Sequence, residues 1–491
     1  MEGYHTMEWT REKRYLPYKD WDADTLLHLQ AQAANSQYQM RYHLRPISGL
    51  INDPNGFSYF NGEYHVFYQS YPFGPVHGLK SWVHFKSKDL VHWQNLGLAV
   101  EPDCKADSHG AYSGSAKEID GKLFLMYTGN HRTEDWERIP YQVGAWMDQD
   151  GKVKDKTILF RNPDHITEHF RDPQIIERNG HYYAIIGAQD KENQHGHIDI
   201  WRSNDLKNWE ELGFLHFSDD DMGYMIECPN LIFVDEKPVL IFCPQGLDKS
   251  VADYDNIYPN MYVIGDDIDL DNCELINPSK LRNFDEGFDV YASQAFNAPD
   301  GRAYSISWVG LPDLTYPTDK ENWANCLSQV KELSIKDGKL IQTPVTAMES
   351  LHINEKELTN SKLELDSSNQ YELKLNIKAE QIGNLRLAAS NELKHSLLIN
   401  FDTKNGKLTL DRSNCDLEVA TDYGTTRSVK LAPNSDLSLD IFVDHSVIEV
   451  FVNNGEAVLT GRFFNNPNNH RISFDKEIKY SGKIWDMQTI L

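Results

Sequence analysis

Between residues 46 and 345 short apolar runs return at an interval near sixty residues. They are 62–68 (GEYHVFY), 121–127 (GKLFLMY) and 180–186 (GHYYAII), followed by looser copies at 237–242 (KPVLIF) and 301–308 (GRAYSISW). Their starts lie 59, 59, 57 and 64 residues apart. A second echo keeps the same register: 87–97 (SKDLVHWQNLG) returns as 203–213 (SNDLKNWEELG), 116 residues later, or two periods of 58. Each unit reads as a strand, a glycine turn, an apolar strand and two further alternating strands. In the first unit these are expected at 56–60, 64–69, 81–86 and 94–101. Repeats of this length, built from short strands, predict a β-propeller with one four-stranded sheet per unit, here five-bladed.

The flanks read differently. Residues 1–45 predict an extended arm and a short helix, with Asp22 and Asp24 at its start and Leu26, Leu29 and Ala33 at helical spacing. After Thr343-Pro344 the texture changes, and 346–358 reads as a partly helical linker. From 359 to 491 the alternation has period two, as in Leu373/Leu375/Ile377 and Leu385/Leu387. Asn405-Gly406 and Asn454-Gly455 mark hairpins. This predicts a separate all-β domain, a two-sheet sandwich. The expected fold is therefore all-β, a propeller at 46–345 followed by a C-terminal β-sandwich.

Composition adds exclusions. With 74 acidic and 48 basic residues the net charge is −26, which opposes nucleic acid and anionic membrane partners. Aromatic residues make up 11% of the chain, which suits strands and sugar-stacking surfaces. The six cysteines have no C-x₂-C spacing of a zinc site or redox motif, and the chemistry read below needs neither a metal nor an organic cofactor. The first twenty residues contain no apolar run, and the cytoplasm is the expected compartment.

The chemistry lies just upstream of the repeat starts, on the strands that would line the propeller channel. Asp53 precedes Gly62 by 9 residues, Asp172 precedes Gly180 by 8, and Glu227 precedes Lys237 by 10. Tyr112-Ser113 and Asp289 fall in the corresponding stretches. Carboxylates gathered in a partly dry funnel repel one another, and such costly clusters are more often sites than scaffolding. Two carboxyls about a bond are the minimal equipment for glycoside hydrolysis, one ionised and one holding a proton. Arg171 adds a cation that can hold a carboxylate ionised. Taken singly, Asn52-Asp53-Pro54-Asn55-Gly56 is also a near-ideal turn and Arg171-Asp172 an ordinary ion pair. Their shared register is what favours a site. A rival pattern, His165-Ile166-Thr167-Glu168-His169, matches the H-x-x-E-H of one metalloprotease class, but Pro163 and Pro173 leave little room for the helix that chemistry needs.

At these residues the sequence resembles glycoside hydrolase family 32. The motifs are Asn52–Gly56, Tyr112-Ser113-Gly114-Ser115, Phe170-Arg171-Asp172-Pro173, Glu227-Cys228-Pro229, the stretch 287–294 and the late segment 442–451. The resemblance implies a five-bladed propeller with a β-sandwich and a covalent fructosyl-enzyme. It implies Asp53 as nucleophile, Glu227 as acid and base, Asp172 as transition-state stabiliser and Arg171 as their orienting cation. A retaining mechanism of this kind expects the Asp53 and Glu227 carboxyls about 5–5.5 Å apart. Sugar contacts are implied at Leu50, Asn52, Gln69, Tyr112, Ser113, Tyr291 and Trp308. The start of the chain and the stretch 73–82 look like the bacterial sucrose-6-phosphate hydrolases of the family. There His77 and Lys80 are expected as anion contacts, with Arg132 or Arg138 assisting. The expected partner is a small sugar: sucrose 6-phosphate, sucrose or short fructo-oligosaccharides. Two other readings stay open, a fructan hydrolase with the same acids and a catalytically silent sugar-binding propeller. Two departures stand out, Gln329-Val330-Lys331-Glu332-Leu333 near the last repeat, and Tyr112 and Val290 where the family has Phe.

Overall fold

A computed structural model describes residues 7–359 and 362–490. Residues 1–6, 360–361 and 491, where parts of the expected arm and sandwich boundary fall, lie outside the described residues. Five antiparallel sheets follow one another along the chain, with first strands Gly49–Phe60, Ala111–Ile119, Ile166–Arg178, Met225–Val234 and Val290–Asn297. Each first strand packs on the next, and the fifth packs back on the first. Side-chain amides bind these inner strands together. Gln174 spans to the backbone of Leu231, and Gln294 links Phe57 to Gly114.

The glycine periodicity has a backbone cause. Asn61-Gly62, Asp120-Gly121 and Asn179-Gly180 all have positive φ at both positions (50° and 79°, 50° and 76°, 52° and 79°), the two-residue hairpin turn that matches strand twist. The fourth turn uses Asp235-Glu236 in the same conformation (48° and 68°), which is why its sequence copy looked loose. The echo between 87–97 and 203–213 is likewise one turn built twice. Ser87 Oγ accepts from Leu90 N and Ser203 Oγ from Leu206 N, both at 2.9 Å. Asp89 accepts from Val91 N and His92 N, and Asp205 from Lys207 N and Asn208 N.

The inner strands share a second, less visible feature. In each of them two residues oppose one on the neighbouring strand. The unpaired couples are Asn52-Asp53, Tyr112-Ser113, Asp172-Pro173, Cys228-Pro229 and Ala292-Ser293. Such two-for-one bulges bend the strand and re-aim a side chain. They also accommodate Pro54, Pro173 and Pro229, because the ladder is already interrupted there. The Asn52–Gly56 segment is thus no terminal turn. It lies inside a strand that starts at Gly49, seven residues before its expected beginning.

The second half contains two six-stranded antiparallel sheets facing one another across a core that includes Leu373, Leu375, Ile377, Leu385, Leu387, Ile399 and Phe401. Both expected hairpins form, with Asp402 opposite Lys407 and Val452 opposite Ala457. The expected linker behaves differently along its length. Thr346–Leu351 is a 3₁₀ turn, but His352–Leu358 is an edge strand on Tyr480–Met487. It carries no alternation to read as a strand, because residues 353–357 are all exposed.

The N-terminal segment forms the expected helix at Ala23–Ala34, with Asp22 accepting from Asp24 N, and a shorter helix at Arg11–Arg14. Asp289 does not join the channel acids. It is fully buried against the second half of the chain, where Oδ2 accepts from Arg412 Nη1 (2.8 Å) and Arg462 N (2.7 Å) and Oδ1 from Tyr316 (2.8 Å). It stands before its strand and its bulge, at a different height from the other acids. The departure at Lys331 falls on the same junction. Lys331 Nζ lies 2.9 Å from Glu449, whose other oxygen meets His43 at 2.9 Å, and His43 also meets Asp444 at 2.9 Å. This departure touches the contact between the two halves, away from the three acids.

Candidate active site

The bulges of three different sheets bring Asp53, Asp172 and Cys228 together, with oxygen and sulfur atoms all within 4.8 Å of one another. Glu227 stands directly before the fourth bulge. Asp53 accepts from Ser113 Oγ at 2.5 Å and from Asn52 Nδ2 at 3.1 Å. Asp172 accepts from Cys228 N at 2.9 Å, and the Cys228 thiol lies 3.5 Å from both aspartates. Asp172 and Cys228 both have positive φ, 66° and 49°. Inside a strand, away from hairpin turns, non-glycine residues hold such angles only where the surroundings fix them.

Glu227 is gripped on both oxygens. Oε1 accepts from Arg171 Nε (3.0 Å) and Nη2 (2.7 Å), and Oε2 accepts from Tyr291 (2.5 Å). The guanidinium fork and the phenol together fix the carboxyl plane. Tyr291 in turn packs edge-on against Trp308, ring centres 6.0 Å apart, and His77 also meets Trp308 edge-on at 6.2 Å. Trp308 Nε1 is buried without a protein partner.

Electrostatics divide the acids. Burial pushes the Asp53 carboxyl above its ordinary range and Glu227 adds to this, while Ser113, Asn52 and Lys80 oppose it. Asp172 rises to about 7, again through burial, with Arg171 pulling down and Asp53 and Glu227 pushing up. Two such carboxyls titrate as a pair, so near neutrality the site holds fewer negative charges than it has acids. Asp53, Asp172 and Cys228 could also hold a cation, although the donors already on the two carboxylates suit sugar hydroxyls as well.

Of the other expected residues, Asn52 and Gln69 are buried and bonded to each other, and Ser113 and Arg171 hold Asp53 and Glu227. Leu50 is buried on the first inner strand, opposite Tyr71. Tyr112 accepts from Asn130 Nδ2 at 3.1 Å. Lys80 departs from its expected place as an outlying anion contact. It is 2% exposed and donates to Asn52 Oδ1 at 2.7 Å. Burial lowers its ammonium to about 7 against the pull of Asp53. His77 remains exposed at the rim.

The H-x-x-E-H pattern has no helix. Ile166–Arg178 is a strand, His165 pairs with Glu211, and His169 turns to Arg171 at 3.2 Å. Cys228 and Thr128, which accepts from Asp172 N at 3.2 Å, are the local supports that sequence reading left without roles. Cys228 stood in a quoted motif, whereas nothing local marked Thr128. A cavity of about 370 Å³ opens further along the same inner strands, lined by Ser115, Gln174, Asn230 and Gln294. Gln174 and Gln294 are consumed in the strand-to-strand bonds described above, and Asn230 Nδ2 donates to Cys228 O at 3.1 Å and Ser293 O at 3.3 Å.

Residues 43–344 match the glycosyl hydrolases family 32 N-terminal domain and residues 339–487 the family 32 C-terminal domain. The chain is 46% identical over 486 residues to the sucrose-6-phosphate hydrolase of Pediococcus pentosaceus, covering 98% of this chain and 97% of that protein. It is similar to the structure of sucrose-6-phosphate hydrolase from Lactobacillus gasseri, with TM-score 0.97 and 60% identity over 99% of this chain and 100% of that one. It also matches the Bombyx mori family 32 β-fructofuranosidase, with TM-score 0.83 and 28% identity over 95% and 97% of the two chains. Matched at both ends and across the acid-bearing strands, the chain belongs to glycoside hydrolase family 32.

Proposed function

We propose that this enzyme is a retaining β-fructofuranosidase acting on sucrose 6-phosphate, with its five inner-strand sheets as the blades of one propeller over residues 46–345. The closed sequence of contacts among the first strands supports the five-blade count. The observation that carries the reaction is the convergence of Asp53, Asp172 and Glu227 from three sheets, each with a different set of donors. Asp53 attacks the fructosyl anomeric carbon. Glu227 protonates the departing oxygen and then takes a proton from water. Asp172 grips fructose hydroxyls as positive charge develops on the ring. Asn52, Gln69, Tyr112, Tyr291 and Trp308 enclose the sugar. The sugar phosphate of the similar bacterial hydrolases is the expected substrate here, and a phosphorylated sugar, which does not cross membranes freely, supports a cytoplasmic reading.

Glu227→Gln tests the assignment. Turnover of sucrose 6-phosphate should fall by roughly 10²–10⁴-fold. A fructoside whose leaving group needs no proton should still give a burst of product, because only the second step then lacks its base. Loss of that burst as well would remove Glu227 from the acid–base role.

Lys80 gives a pH test. Its positive charge lowers the Asp53 carboxyl, so Lys80→Met should raise it. The nucleophile then takes up its proton at a higher pH, and the acid limb of kcat/KM moves upward. An unmoved acid limb would show that Lys80 serves Asn52 alone.

A further inference from the structure

Beside the acids lies a pair of cations without counter-charges. Arg132 and Arg138 stand directly opposite one another on the strands Lys122–Arg132 and Arg138–Met147. Like charges so placed repel. Neither has a carboxylate partner among the described residues, although the chain carries 74 acidic residues. Both Nε atoms are buried and unpartnered. Arg132 Nη1 donates to Trp136 O at 3.0 Å, and Arg138 lies 5.9 Å over the Tyr112 ring. Tyr112 is the bulge neighbour of Ser113, the donor on Asp53, so the arginines sit just outside the fructosyl-holding acids. Arg138 is close enough to Arg171 and Arg132 to feel both charges. The N-terminal segment completes the wall. The Tyr15 ring packs on Trp136 at 5.1 Å and on His109 at 5.8 Å, held there by Leu79 N donating to Arg14 O at 2.7 Å.

Resting on the substrate reading above, we propose that Arg138 and Arg132, walled by Tyr15, His109 and Trp136, form the subsite for the phosphate of the leaving sugar. A dianion there relieves the repulsion between the guanidinium groups and occupies their free donors. It also gives the expected anion site an address other than Lys80, whose ammonium is occupied with Asn52.

The test compares kcat/KM for sucrose 6-phosphate and sucrose in the wild-type enzyme, Arg138→Gln and Arg132→Gln, with inorganic phosphate as a competitive inhibitor of sucrose hydrolysis. In the variants the preference for the phosphorylated sugar should fall about 10–100-fold, mainly through KM, and phosphate inhibition should weaken in parallel. A wild-type preference that the variants keep would overturn the arginine subsite and leave the substrate reading standing. Equal losses on both sugars would make the arginines structural and also overturn it. A wild-type enzyme that neither prefers the phosphorylated sugar nor is inhibited by phosphate would overturn both proposals.

Discussion

Asp53→Asn should abolish fructosyl transfer, lowering turnover by roughly 10⁴-fold or more, while the protein stays folded. The amide has the shape of the carboxylate, so the contacts with Ser113 and Asn52 can persist. What disappears is the nucleophile. A crowded negative charge goes with it, and burial together with Glu227 already disfavours that charge. The unfolding temperature should therefore hold or rise as activity vanishes, the usual signature of a group kept for chemistry at a cost in stability. Asp53 is also one of the charges raising Asp172, so the Asp172 carboxyl should titrate lower in the variant. Steady-state kinetics and a thermal scan on one preparation are sufficient. Turnover within tenfold of wild type would end the nucleophile assignment.

The second large effect is on stability. Asp289→Ala removes the acceptor shared by Arg412 Nη1, Arg462 N and Tyr316. Arg412 is 6% exposed and would be left without its counter-charge. Breaking one partner of a buried ion pair costs about 3–5 kcal/mol, because the remaining charge stays desolvated. At about 2–4 °C per kcal/mol that corresponds to roughly 6–20 °C in unfolding temperature. At low temperature, Asp53, Asp172 and Glu227 keep their donors and the kinetics should change little. A shift of less than about 2 °C would mean that solvent or Arg427, which stacks on the same Phe288 as Arg412, relaxes into the gap.

The sequence made the large-scale plan readable because hairpin turns with two positive φ angles demand Gly, Asn or Asp, and those residues recur. The three acids were found through their distance from those turns. Asp289 shows the limit of that reasoning. It falls 12 residues before its turn instead of 8 to 10, and the extra residues move it from the channel to the junction. The bulges were illegible, since a skipped rung is a relation between two strands and leaves no fixed residue behind. Tyr112-Ser113 and Cys228-Pro229 share a backbone event and no chemistry. Lys80 was misplaced for a related reason. Its burial depends on Asn52, 28 residues away, and a lysine beside glycine and leucine reads as a surface loop. The strand at 352–358 was missed because five consecutive exposed positions, 353–357, hide its pairing with the end of the chain.

The doubled positions at the same height in all five inner strands behave like interchangeable berths. Four already carry different cargo: an amide and a carboxylate, a phenol and a hydroxyl, a carboxylate and a proline, a thiol and a proline. The fifth holds only Ala292 and Ser293, with Ala292 at φ 50°. An asparagine tolerates that angle better than most residues, but Ala292 is 1% exposed among Cys228, Tyr291 and Trp308, so this berth stays apolar unless an incoming group brings its own hydrogen-bond partner.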